Sequence, residues 1–276
     1  MNFDSIRFEN KKIIFQNTTY QLKIHEIEKI EEFLDDFGYL SFDRNYVLCQ
    51  KYTFSLQILI TSLELTIGSI VECCSTGCLT DANTLLRKYR DDIFFYLYVY
   101  VYDSNKKLGL SLKENEKAEK NIIKWLQNDL SDLNIGAVLK TIAMSPNINE
   151  AIQKYNLHQY FDQLNKRLNN YVHGNGTKYY NKFIMNYKIN EFQERLCSLV
   201  EDIRFITLTF LFLLTLCSPI SIMSTDYIDY LENNATPPEG SQYWVAPFIV
   251  DFFKENKHLI NDECLDYLRD NTPMII

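Results

Sequence analysis

Glycine and proline, the residues that most readily interrupt regular secondary structure, occur only eight and six times in 276 residues. So few breakers leave a many-turned β fold short of turns and favour long helices. The apolar spacing agrees. From Phe54 to Cys74, the residues Leu56, Leu59, Ile60, Leu63, Ile67 and Ile70 recur at three- and four-residue intervals, the period of one helix face. A second helix is expected over 81–103, capped by Thr80 or Asp81 and polar only in its first half. The two read as an αα-hairpin, the usual start of an up-down bundle. Further helices are expected over 113–131 (charged and solvated), 148–155, 157–173 and 188–217, with short ones beyond Pro219.

The N-terminal region reads differently. Ile13-Ile14-Phe15 and Tyr20–Ile24 are β-prone runs flanking the turn-like Gln16-Asn17-Thr18-Thr19, so a small β-hairpin is expected over 6–24. A short helix over 25–37, ending near Gly38, follows it. The expected architecture is therefore mainly α. A small α+β lobe occupies 1–50, a helical bundle 51–218 and a helical C-terminal cap 219–276. Residues 205–225 carry no charge, which raises a membrane-spanning reading. Threonines dilute the run, Pro219 cuts it, and no Lys/Arg cluster flanks it. A helix buried at the centre of a bundle is the expected reading, and membrane insertion is not expected.

A net charge of −8 argues against generic adhesion to nucleic acid or anionic membrane. DNA is not an expected partner. Seven scattered cysteines, with no apparent N-terminal signal, read as free thiols of a reducing cytoplasm. Cys73, Cys74 and Cys78 lack a second pair at zinc spacing, so no metal is expected. No Gly-rich phosphate loop or nucleophile elbow appears, and no cofactor is expected.

One segment carries chemistry. In Leu164–Gly176 a cation, Arg167, precedes one of the chain's four histidines, His173, where a helical pattern runs out into Gly174-Asn175-Gly176. An arginine can neutralise a phosphate, and imidazole takes or gives a proton near neutral pH. The two together suffice to cleave RNA without a metal. Lys166, Arg167, Lys178 and Lys182 make a local basic cluster on the acidic chain. Positions six apart on a regular helix differ by about 240° around its axis. Convergence therefore requires the helix to end before His173, which Gly174 and Gly176 favour, or each side chain to reach the site from a different angle.

Arg167-x5-His173 fits the R-x4-6-H pattern of the HEPN superfamily (higher eukaryotes and prokaryotes nucleotide-binding), which the chain resembles over roughly residues 52–217. A surrounding helical bundle, a helix bearing Arg87, Arg90, Asp91 and Asp92, and a small residue after the histidine add to the resemblance. It implies a metal-independent endoribonuclease, a toxin or antiphage effector, with Arg167 and His173 catalytic. It also implies a homodimer that lines one cleft with two Arg/His pairs, RNA as substrate, and a protein partner or antitoxin. The family also holds non-catalytic members that only bind, which leaves a binding module of a defence or toxin–antitoxin system as the alternative. Asn169, Asn170, Arg87, Arg90, Asp91 and Lys178 are the expected supporting or RNA-contacting residues. In active members the position after the arginine is commonly polar; here it is Leu168. Two plainer readings stand beside these: Arg90 and Asp91 as an ion pair within or between helices, and His173 as a residue closing a helix end.

Overall fold

A computed structural model describes residues 3–108, 112–127, 129, 134–181, 189–236, 244–274 and 276. Its elements are helices in the order α1 (Phe3–Phe15), α2 (Thr18–Leu48), α3 (Thr53–Ser75), α4 (Leu79–Leu108), α5 (Leu112–Leu126), α6 (Ile135–Ile142), α7 (Pro146–Lys154), α8 (Leu157–His173), α9 (Ile189–Cys217), α10 (Thr225–Glu232), α11 (Pro247–Asn256) and α12 (Cys264–Asn271). Among the described residues the only β pairing is an isolated bridge between Met223 and Val245.

The hairpin expected over 6–24 is not formed; both of its runs are helical. Ile13-Ile14-Phe15 closes α1, and Tyr20–Ile24 opens α2. The turn-like tetrapeptide between them is a helix cap instead. Asn17 has extended backbone, and its side chain accepts from the Tyr20 amide at 2.9 Å, the arrangement that satisfies a free N–H at a helix start. Periodicity explains the outcome. Tyr20, Ile24, Ile27, Ile30, Leu34 and Phe37 are buried at helical intervals, and a long amphipathic pattern outweighs the β preference of a few residues. Gly38 does not end the helix, because α2 continues to Leu48. The glycine serves a close approach: a Cβ there would lie 3.2 Å from Ile60 Cγ2 of α3.

The centre of the molecule is α9. Every residue from Phe205 to Leu216 is buried, and α9 packs against α2, α4, α7, α11 and α12. This is the uncharged run read from the sequence as a bundle-centre helix. Two of its threonines cost little, because Thr207 and Thr215 donate to carbonyls one turn back at 2.8 and 2.7 Å. Aromatic rings link it to its neighbours: Phe210 meets Phe37 and Tyr96, each at 5.6 Å, and Phe205 meets Phe161 at 5.8 Å. The second half of α4, Phe94 to Tyr102, is likewise buried throughout. Its tyrosine hydroxyls find partners: Tyr96 and Tyr100 donate to Asn45 of α2, and Tyr98 accepts from Asn121 of α5. One core runs through α2, α3, α4, α8, α9 and the C-terminal helices.

Phe210→Ala should lower the free energy of unfolding by about 3–5 kcal/mol, the usual cost of emptying a fully packed aromatic site. Phe15→Ala, at a side chain 80% exposed, should change it by less than about 0.5 kcal/mol. Urea denaturation of the two variants checks whether α9 is the packing centre.

Candidate functional site

Helix α8 buries Leu157, Phe161, Leu164 and Leu168, a stripe at spacings of four, three and four. Leu168, the apolar residue after the motif arginine, is therefore part of the core. Two polar contacts clamp the helix to its neighbours. On one side Arg90 of α4, only 1% exposed, donates to the Asn165 side chain and to Asp91. On the other side Arg167 forms an ion pair with Asp202 of α9. Tyr160 stacks on Phe205 with ring centroids 3.7 Å apart and strengthens the same α8–α9 seam.

Arg167 is 40% exposed while Asp202 is 4% exposed. The guanidinium thus stands at the surface, anchored from below by a buried carboxylate. Burial pushes Asp202 up to about 6, despite the opposing pull of Arg167.

Regular helix persists through His173, so the motif does not converge by an early helix end. At ideal geometry Arg167 and His173 are about 9 Å apart along the axis and turned about 240° from each other. Among the described residues no hydrogen bond or ion pair joins them. The histidine is exposed. Behind it Gly174 takes a left-handed conformation (φ 58°), and the Gly174 and Asn175 amides turn back to Tyr171 and Asn170 carbonyls at 3.4 and 3.0 Å. That paired closure is a common helix ending and needs a residue without Cβ strain at Gly174.

The loop beyond is pinned to the start of α4. Thr80 Oγ1 donates to the Tyr179 carbonyl at 2.9 Å, the Thr80 amide donates to Asn181 Oδ1 at 3.0 Å, and Asn181 Nδ2 donates to Asp81 at 2.9 Å. Thr80 and Asp81, expected as caps, thus lie inside the first turn of α4 and hold this loop. Asn170 donates to the Tyr179 hydroxyl at 3.1 Å, and Tyr171 and Tyr179 rings meet edge-on at 5.1 Å. The Lys178 ammonium sits 4.9 Å from the Tyr179 ring centre, and the Arg195 guanidinium 6.0 Å from that of Tyr171. Tyr180 is largely exposed. The end of α8 therefore displays one imidazole, two cations and three tyrosines.

The expected supporting residues divide between two places. Asn170 and Lys178 lie at the His173 end with exposed Asn169. Arg90 grips α8 at Asn165, about 12 Å along the helix from His173; Asp91 holds the Arg90 guanidinium and lies 3.9 Å from Arg87. Arg90 thus braces the middle of the helix, with Asp91 and Arg87 behind it. Lys182 lies outside the described residues. Asp202, Asn181 and Arg195 do not emerge from the sequence reading, and Thr80 enters it only as a helix cap. For Asp202 one signal existed: a carboxylate just ahead of an otherwise apolar helical run.

Cys73, Cys74 and Cys78 stand at the α3–α4 turn. Burial raises the Cys73 thiol to about 11 and Cys74 further, which disfavours the thiolate that a metal needs. No family model matches the chain, and no curated protein or solved structure does either.

Two stability experiments test this geometry. Gly174→Ala should cost about 1–2 kcal/mol for an L side chain in the left-handed region, and its Cβ would meet the Tyr180 hydroxyl at 2.9 Å. Asp202 binds its proton more tightly folded than unfolded. It therefore favours the fold below the ordinary carboxylate range, and this contribution is lost as pH rises through about 6. Asp202→Asn should gain on the parent protein between pH 4 and pH 7, by up to about 3 kcal/mol. A pH-independent difference in urea midpoints would mean that Arg167 offsets the burial completely.

Proposed function

We propose that this chain is a metal-independent endoribonuclease of the HEPN type, acting on single-stranded RNA in the cytoplasm as a toxin or antiphage effector. The observation that carries the reading is the exposed His173 at the closed end of α8, the end at which Lys178, Arg195 and the tyrosines 171, 179 and 180 also gather. A proton-transfer group at the same helix end as cations and rings suits an RNA strand: cations meet phosphates, and exposed rings stack on unpaired bases. In the reaction the ribose 2′-hydroxyl loses its proton and attacks the adjacent phosphorus. The bond to the 5′-oxygen breaks, and that oxygen leaves with a proton. The products are a 2′,3′-cyclic phosphate and a 5′-hydroxyl. His173 moves the proton, and Arg167, steadied by Asp202, stabilises charge on the phosphate.

Because Arg167 and His173 diverge on one helix, this chemistry requires two chains, each supplying a group to a shared cleft. A homodimer is part of the reading, and a protein partner or antitoxin would restrain it. The Arg167–Asp202 ion pair favours a second reading. If that pair only fastens α8 to α9, the bundle is a non-catalytic interaction module of a defence or toxin–antitoxin system.

His173→Ala should reduce cleavage of single-stranded RNA at least a hundredfold with EDTA present, from loss of a positioned acid or base worth roughly 10²–10⁴ in rate. Arg167→Ala should have a comparable effect, since one charge-stabilising donor is commonly worth about 3–4 kcal/mol. Its melting temperature must be followed too, because Asp202 loses its partner. His158→Ala should do little. A parent protein that cuts no RNA in diverse pools supports the interaction module, and full activity in both motif variants removes the assigned site.

A further inference from the structure

Helix α3 ends in a paired closure. The Gly77 amide donates to the Cys74 carbonyl at 3.0 Å, and the Cys78 amide donates to the Cys73 carbonyl at 2.8 Å. Gly77 takes the left-handed conformation (φ 78°) that this closure needs. The residues at the two ends of the outer hydrogen bond commonly bring their side chains together, usually as an apolar contact. Here both of them are cysteines, Cys73 and Cys78, and both thiols are free.

The hydrogen bond limits how far apart the two residues can be. With nitrogen and oxygen 2.8 Å apart, ordinary bond lengths hold the Cα atoms within about 6.7 Å of each other. A disulfide spans Cα separations of about 4.4–6.8 Å, so this pair can be bridged with the turn in place. Both residues are partly exposed, within reach of a small oxidant. Cys74 is not an equivalent choice. It is fully buried, its carbonyl accepts from the Tyr20 hydroxyl at 3.2 Å, and it is turned about 100° around the helix from Cys73. The other cysteines lie on other elements: Cys49 before α3, Cys197 and Cys217 in α9, and Cys264 at the start of α12.

We propose that Cys73 and Cys78 are a reversible oxidation site, closed to an intrachain disulfide by hydrogen peroxide and reopened by small thiols. The Cys78 thiolate attacks one peroxide oxygen and the O–O bond breaks. Hydroxide leaves, takes up a proton to become water, and Cys78 carries a sulfenic acid. The Cys73 thiolate then attacks the Cys78 sulfur, the S–O bond breaks, and hydroxide leaves as the second water. Two thiols and one peroxide thus give one disulfide and two waters; the sulfurs lose two electrons and the peroxide oxygens gain them. Two small thiols reverse the bond by exchange and leave as their own disulfide. Burial sets the order of attack, because it raises the Cys73 thiol to about 11 and leaves little thiolate for a first encounter. As the second nucleophile Cys73 attacks within one turn, where proximity replaces collision. The turn runs directly into Thr80 and Asp81, which hold the loop behind His173. The bond therefore fastens the anchor of that loop against opening of the turn.

This site stands whether or not the chain cuts RNA, and its test needs no RNA. The full reduced chain is treated, folded, with hydrogen peroxide in small molar excess. Peptide mapping after unfolding and alkylation should find Cys73 joined to Cys78 and the remaining cysteines alkylated, with dithiothreitol restoring both thiols. Cys73→Ala and Cys78→Ala should each abolish the bond, whereas Cys74→Ala should keep it. Circular dichroism accompanies each variant, and fragment ions of the parent peptide assign the pair even where a variant fails to fold. The oxidised parent should melt about 2–6 °C above the reduced one, since the bond restricts the unfolded chain. Cys73 and Cys78 that stay open to alkylation, a bond to Cys74 or to a second chain, or oxidation that dithiothreitol does not reverse overturns the proposal. A lower melting temperature on oxidation overturns closure with the turn in place.

Discussion

The burial of Phe205–Leu216 on all sides is the constraint on which the rest of the molecule depends. A helix apolar around its whole circumference cannot face water on any side. Other helices must enclose it, and α2, α4, α7, α11 and α12 do so. This explains why the N-terminal residues are not a separate β-containing lobe in structure. They are needed as wall: Phe37 of α2 packs on Phe210, and Gln193 Nε2 of α9 donates to the Asn17 cap at 2.9 Å. Enclosure also determines where polar atoms can go, so the buried tyrosines of α4 seek out Asn45 and Thr207.

Enclosure has a consequence for α8. The helix is held on two flanks, by Arg90 through Asn165 and by Asp202 through Arg167. Both clamps sit in its middle, which leaves its last turn to be steadied by the loop tied to Thr80 and Asp81. The outcome is a rigid rod with a displayed end, where His173 stands. Rigid presentation is what a proton-transfer group requires, and the same frame equally suits a surface that only binds.

Helix α4 lies between two regions of the molecule. One side of it braces α8 and the other borders an exposed apolar stripe of α3.

Much of this was legible from residue order. Breaker scarcity gave the mainly helical character, and three–four spacing located α3, α8 and α9 to within a residue or two, because local periodicity is set by neighbours close in sequence. The short β-prone runs near the N-terminus point to a hairpin only when taken apart from the longer α2 pattern that recruits them into helix. Which side of α3 stays bare, and which partner each charge takes, lay beyond the sequence. Arg167 finds Asp202 35 positions away, and Arg90 finds Asn165 75 positions away. Such pairs exist only after two helices pack side by side at one particular rotation. Helix periodicity says that a residue lies on a face; only tertiary packing decides what that face meets.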